Sequence, residues 1–147
     1  MILKKRSGRE GIEGQWTCGV LLQTPTKVVM VSEDLGKELI YKKIPGGRKR
    51  PVDKTPEDTA IREVFEETGV HITFEELNYV LGQDRRNHLY HLYTVQISDG
   101  RLEERYHIAK NGEEVHVVSI NELVKMKAEI LPHHFELLES DELNLSM

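Results

Sequence analysis

Thr55-Pro56-Glu57-Asp58-Thr59-Ala60-Ile61-Arg62-Glu63-Val64-Phe65-Glu66-Glu67-Thr68-Gly69-Val70 reads as a helix with both ends marked. Thr55 can serve as N-cap, Pro56 fits the first turn because the N–H it lacks would be unpaired there, and Asp58 completes a capping box at the positive end of the helix dipole. Gly69 supplies the stop. On a 3.6-residue wheel Ala60, Ile61, Val64, Phe65 and Thr68 share a face that is expected to pack, while Glu63, Glu66 and Glu67 fall within about 100° of one another elsewhere. Carboxylates at i, i+3 and i+4 repel by roughly a few tenths of a kcal/mol per pair. A divalent cation removes that cost, and oxygen-only ligands completed by water and phosphate are what magnesium or manganese prefers. Without context, three such glutamates are more simply a solvated acidic stripe.

Working outward, strands are expected over residues 16–22 and 27–31, joined by the turn-forming Gln23-Thr24-Pro25-Thr26, and over 38–44, ended by Pro45-Gly46-Gly47. Further strands are expected at 78–81, 88–97 and 115–118, with short helices over 121–128 and 132–139. Strands flanked by helices on one chain predict an α/β fold, a mixed β-sheet between helical layers.

The chain has 147 residues, 25 acidic and 20 basic, with a formal charge of −5, which suits a single domain over 1–147 and argues against a dedicated duplex-DNA binder. The longest apolar runs, such as Val28-Val29-Met30-Val31, are four residues, too short to span a bilayer. Residues 1–10 are basic, through Lys4, Lys5, Arg6 and Arg9, without the apolar core of a secretory signal. A cytoplasmic protein is expected, with a flexible basic start and a loosely ordered acidic tail over 139–147. Cys18 is the sole cysteine, excluding intrachain disulfides and multi-cysteine metal sites, and its apolar surroundings predict a buried, inert thiol.

Residues 62–70 match, at every defined position, the second half of the Nudix box, Arg-Glu-U-x-Glu-Glu-x-Gly-U with U a bulky aliphatic residue. Ile44-Pro45-Gly46-Gly47 resembles the turn that opens that box, so the resemblance to the Nudix hydrolase family spans residues 44–70. It implies a Nudix-type α/β/α sandwich and a hydrolase cleaving a diphosphate bond in a nucleoside diphosphate linked to another moiety: a nucleotide sugar, dinucleotide, NTP or related compound. It further implies Mg²⁺ or Mn²⁺ held by Glu63, Glu66, Glu67 and the Gly46 carbonyl, with Arg62 orienting Glu63 or Glu66. The resemblance also implies a general base that is either a box glutamate or a later acid, here Glu113 or Glu114, which precedes a strand resembling the family's. One departure stands out. Counting back from Arg62 puts the family's first box glutamate at Lys54, counting forward from Gly47 puts an acid at Asp53, and the loop holds one residue more than the pattern; both registers stay open.

Six basic residues lie between Lys42 and Lys54 against one acid. Gly47, Lys43, Arg48, Lys49 and Arg50 are candidates for binding substrate phosphates, and Arg85 and Arg86, which open a strand, could reach the same site, the alternative being a solvated basic edge. His88 and His91 fall on opposite sides of a strand and cannot share a metal; His133 and His134 suit capping or the surface. Trp16, Tyr90 and Tyr93 are expected in the core rather than stacked on a base. The expected partner is a small nucleotide-diphosphate substrate, with no membrane, no nucleic acid except a capped or 5′-phosphorylated end, and a homodimer allowed. The competing readings are a catalytically weak Nudix-fold nucleotide-binding or regulatory module and, less well supported, an RNA-binding module using the basic run.

Overall fold

The computed structural model describes residues 15–32, 41–103, 114–145 and 147. β1 (Trp16–Gln23) and β2 (Lys27–Ser32) form a hairpin, whose turn is fixed by Thr24 Oγ1 accepting from the Thr26 and Lys27 amides. β6 (His88–Gln96) runs parallel to β1 over its whole length, and β5 (Asn78–Arg85) pairs antiparallel with β6. β3 (Lys42–Lys43) and β7 (Glu114–Ser119) pair with β2, and β4 (Gly46–Arg48) pairs with β1. One parallel pair among antiparallel ones makes the sheet mixed, as expected.

Period-two alternation splits the core into two layers. Trp16, Cys18, Val20 and Leu22 pack with Ala60 and Val64 of α1 (Pro56–Thr68), while Leu21, Met30, Tyr90 and Leu92 pack with Phe135, Leu137 and Leu138 of α3 (Pro132–Leu138). The result is the α/β/α layering that the sequence predicted. α1 has the ends read from its sequence: Thr55 and Asp58 form the reciprocal capping box, and Gly69 closes the helix at φ 75°.

Several expectations are corrected. Of the strand expected over 38–44, residues 38–40 lie outside the described residues and only Lys42–Lys43 joins the sheet; the Ile44 amide turns away to donate to His134 Nδ1 at 2.8 Å. Pro45 does not end the pairing, because Gly46–Arg48 re-enters the sheet against Thr17–Gly19. β5 runs on to Arg85 through a tight hairpin with β6. The stretch 121–128 is not a helix. Two 3-10 turns, Ile120–Glu122 and Lys127–Glu129, bring only Ile120, Leu123 and Ile130 to the core, and the i→i+3 bond from the Leu123 amide to the Ile120 carbonyl matches that spacing. A short helix, α2 (Asp99–Glu103), was not foreseen. The acidic tail is anchored rather than loose, since Leu143 lies in the core.

Candidate active site

The packed face of α1 is not the one the wheel suggested. Ala60, Val64 and Thr68 are buried, but Ile61 and Phe65 are only half-buried, and the Phe65 ring stacks on His71 at 4.1 Å. Glu63 and Glu67 are buried instead, at 8% and 6% exposure, because β4 lies across that side of the helix. The Gly46 amide donates to Glu67 Oε1 at 2.7 Å. Gly47 faces Glu63 so closely that a Cβ there would lie 2.5 to 2.6 Å from the carboxylate atoms. The Gly-Gly pair therefore lets two carboxylates approach a strand backbone, which a side chain would forbid. The solvated-stripe reading fails for Glu63 and Glu67.

Arg62 organises the group. Its Nη1 donates to Glu63 Oε1 at 2.8 Å and Glu66 Oε1 at 3.2 Å. Its Nε and Nη2 grip Asp53 at 3.1 and 2.6 Å, and Nη2 also reaches the Arg48 carbonyl at 3.0 Å. These five bonds match the five N–H donors of a guanidinium. Asp53 is buried and also accepts from the Arg50 amide and Thr59 Oγ1, which itself accepts from Trp16 Nε1. The Arg62 guanidinium, outweighing burial, holds the Asp53 carboxyl down to about 2, and the same pairing raises Arg62. Of the two residues that compete for the acid's place, Asp53 enters the site network, by way of Arg62, while Lys54 is exposed.

Two further cations reach the carboxylates. Arg50 pairs with Glu66 at 3.0 Å and Lys43 with Glu67 at 3.8 Å. As they stand, no three acidic, histidine or cysteine side chains among the described residues are arranged to hold one ion. The donor chemistry nevertheless fits a hard dication: Glu63 and Glu67 lie against the glycine-lined strand and Glu66 shares Arg62 with Glu63, all of them oxygen donors.

Glu63, Glu66, Glu67, Arg62, Gly46, Gly47, Lys43 and Arg50 are thus brought together. Glu114 is exposed at the first residue of β7, opposite Ser32, and joins none of these contacts among the described residues; Glu113 lies outside them. Arg48 and Lys49 line a neighbouring cavity of about 320 Å³ with Gln15, Trp16, Thr17, Asn87 and His88. Lys49 sits 5.3 Å over the Trp16 ring. Arg86 is exposed near the β5–β6 turn and does not line that cavity.

Sequence reasoning missed Thr59, which bridges Trp16 and Asp53; its position one turn before Glu63 was the available signal. It also missed His134, which is buried, accepts from the Ile44 amide and is pulled down to about 3 by burial. Cys18 is buried, and burial pushes its thiol far up, as an inert core thiol requires. Among the described residues no helix is long and apolar enough to cross a membrane.

The profile of the NUDIX domain family matches residues 15–140. A mouse (Mus musculus) protein, nucleoside diphosphate-linked moiety X motif 6, is 40% identical over 67 residues, which are 46% of this chain and 21% of that protein. The chain thus matches about a fifth of that relative's length. Among solved structures, the NUDIX domain of Shewanella oneidensis NrtR in complex with ADP ribose superposes with TM-score 0.68 at 21% identity, covering 89% of this chain and 88% of that one. A NUDIX hydrolase from Nitrosomonas europaea gives TM-score 0.66 at 21% identity, over 89% and 90%. Both show the same fold.

Proposed function

Because the chain belongs to the NUDIX domain family over residues 15–140, we propose that it hydrolyses a diphosphate bond in a nucleoside diphosphate linked to another moiety, using Mg²⁺ or Mn²⁺ at Glu63, Glu66, Glu67 and the Gly46 carbonyl. The observation that carries this reading is the burial of Glu63 and Glu67 against Gly46-Gly47, with Arg62 bonding Glu63 and Glu66 at once. Burying carboxylates is costly unless they are paired, and a site that keeps two of them beside a bare backbone, with a third one turn away on the same arginine, suits a charged reactant. The mouse relative's name and the ADP ribose held by the NrtR domain support a nucleoside diphosphate as the substrate core.

The chain's own residues have distinct tasks. Arg62 fixes the rotamers of Glu63 and Glu66. Arg50 and Lys43, which reach Glu66 and Glu67, lie where they can also meet substrate phosphates. A glutamate of this group takes the proton of the water that attacks phosphorus, the P–O bond to the departing phosphate breaks, and that phosphate leaves with the bridging oxygen. A divalent ion bound there would supply Lewis acidity toward the phosphoryl oxygens and the water. Glu114 is the alternative base, and Glu114→Gln separates the two.

The test is hydrolysis of nucleotide sugars, dinucleotides, NTPs and capped RNA with Mg²⁺ or Mn²⁺, with and without EDTA. Glu63→Gln, Glu66→Gln and Glu67→Gln are each expected to lower turnover about a hundredfold or more. Near-parent rates in all three sink the proposal.

A further inference from the structure

The chain enters the Gly46-Gly47 strand through a residue that cannot donate a hydrogen bond. Pro45 has no N–H and a proline ring fixes φ at about −65°, so the last backbone donor before the glycines is the Ile44 amide. Ile44 is 1% exposed, and a buried amide must find an acceptor. The acceptor is a side chain 90 residues away: the Ile44 amide donates to Nδ1 of His134, in the first turn of α3, at 2.8 Å.

This bond belongs to a set that ties the stretch down from both faces of the sheet. Beside it the Leu131 amide donates to the Lys42 carbonyl at 2.9 Å, where Ile130 bridges Lys42 in parallel. Lys43, between the two anchored residues, reaches the α1 side and pairs with Glu67 at 3.8 Å. Past Ile44 one peptide unit is bonded at both ends. Its Pro45 carbonyl accepts from the Val20 amide at 2.8 Å, and its Gly46 amide donates to Glu67 Oε1 at 2.7 Å. Gly46 also packs so closely on β1 that a Cβ there would lie 2.0 Å from the Cys18 carbonyl oxygen. Only φ and ψ of Ile44 and ψ of Pro45 separate the Ile44 amide from that unit, because proline fixes its own φ. Where His134 holds Ile44 therefore decides how Gly46 meets Glu67.

The ring suits the task. Nδ1 accepts, which leaves the proton of the neutral imidazole on Nε2, and burial, followed by the neighbouring His133, Arg85 and Lys43, favours the neutral form. His133 packs edge-on against the ring at 4.9 Å and Tyr90 lies tilted to it at 6.5 Å, so neighbours on two sides set its orientation. We propose that His134 is a positioning residue for the glutamate site: by holding the Ile44 amide from the far side of the sheet it sets where the Gly46 amide meets Glu67, the direction of the Gly46 carbonyl and the reach of Lys43. That a metal binds at Gly46 and Glu67 rests on the hydrolase reading above; the hold of His134 on the strand does not.

His134→Leu removes the acceptor and keeps an apolar side chain in the core. His134→Asn carries Oδ1 on the same carbon that bears Nδ1 and can take its place. In metal-free protein, amide hydrogen exchange followed by NMR, read relative to the amides of β6, is expected to quicken about tenfold or more at Ile44 and Gly46 in the Leu variant and to stay near the parent in the Asn variant. Mn²⁺ titrated under electron paramagnetic resonance should bind about tenfold more weakly to His134→Leu, with Asn restoring most of the loss. Leu137→Val, in the core on the same helix, is the control, expected to lower the melting temperature and to leave both readouts alone. If His134→Leu does not fold, His134→Gln, which keeps a polar group at the Nε2 end and no acceptor at the Nδ1 position, replaces it. Unchanged Gly46 exchange and Mn²⁺ affinity in the acceptor-free variant overturn the proposal. So do equal changes in Leu137→Val, or an Asn variant no better than Leu. Gly46 exchange that follows His134 in a protein that hydrolyses nothing on the panel removes the hydrolase reading and leaves the positioning role standing. Hydrolysis by a protein whose Gly46 amide is indifferent to His134 does the reverse.

Discussion

Replacing Asp53 by Asn changes one charge and almost no volume. The carboxylate accepts from Arg62 Nε and Nη2, the Arg50 amide and Thr59 Oγ1, and the Arg62 guanidinium holds its carboxyl at about 2 where 3.8 is ordinary. Each pH unit of that lowering corresponds to about 1.4 kcal/mol, so ionised Asp53 contributes about 2 kcal/mol to folding at neutral pH. The unfolded chain binds this proton more tightly than the folded one. The contribution is therefore whole above the unfolded value and is lost as pH falls from about 4 toward about 2. An Asn amide would also turn N–H donors toward those of Arg62 and leave the guanidinium part unpaired, raising the expected loss at pH 7 to about 2 to 4 kcal/mol. Urea melts of parent and Asp53→Asn from pH 7 to pH 3 measure it, and the gap should narrow by about 1 kcal/mol between pH 5 and pH 3. Turnover should fall as well, because Arg62 then holds Glu63 and Glu66 less firmly. Equal stability at pH 7 with parallel pH profiles would refute the clamp.

Gly47→Ala places a Cβ 2.5 to 2.6 Å from the Glu63 carboxylate atoms; displacing that side chain by about an ångström should lower kcat about a hundredfold while the melt stays cooperative. Thr55→Ala removes the hydroxyl that accepts from the Asp58 amide and should cost about 1 kcal/mol in denaturant melts. Val64→Ala, at a fully buried position, should cost about 2 kcal/mol, and Phe65→Ala, half-buried on His71, about 1 kcal/mol. The opposite order would mean that the ring, and not Val64, carries the contact between helix and sheet.

What could be read without coordinates was whatever physics keeps within a few residues. The ends of α1 follow from Thr55, Pro56, Asp58 and Gly69, whose partners lie within one turn, and the β1–β2 hairpin from Thr24-Pro25-Thr26 between two apolar runs. The glutamates and Arg62 sit on one helix, so their grouping was legible too. Their burial was not, because it depends on β4 crossing the helix, and the sequence at Pro45-Gly46-Gly47 reads locally as an ending.

The tertiary structure decided everything that spans the chain. Arg50 meets Glu66 across 16 residues, the Gly46 amide meets Glu67 across 21, and the Ile44 amide meets His134 across 90. The loop with the extra residue illustrates the division: counting left Asp53 and Lys54 equal, and only the fold turned Asp53 inward to Arg62 and Thr59 while Lys54 faces out. Arg48, Thr17, Tyr90 and Gln83, which pair side by side across the sheet, come from four different strands. Local propensity acts through neighbours in sequence, whereas strand register and desolvation act through neighbours in space, and the latter fix which polar atoms end up buried side by side.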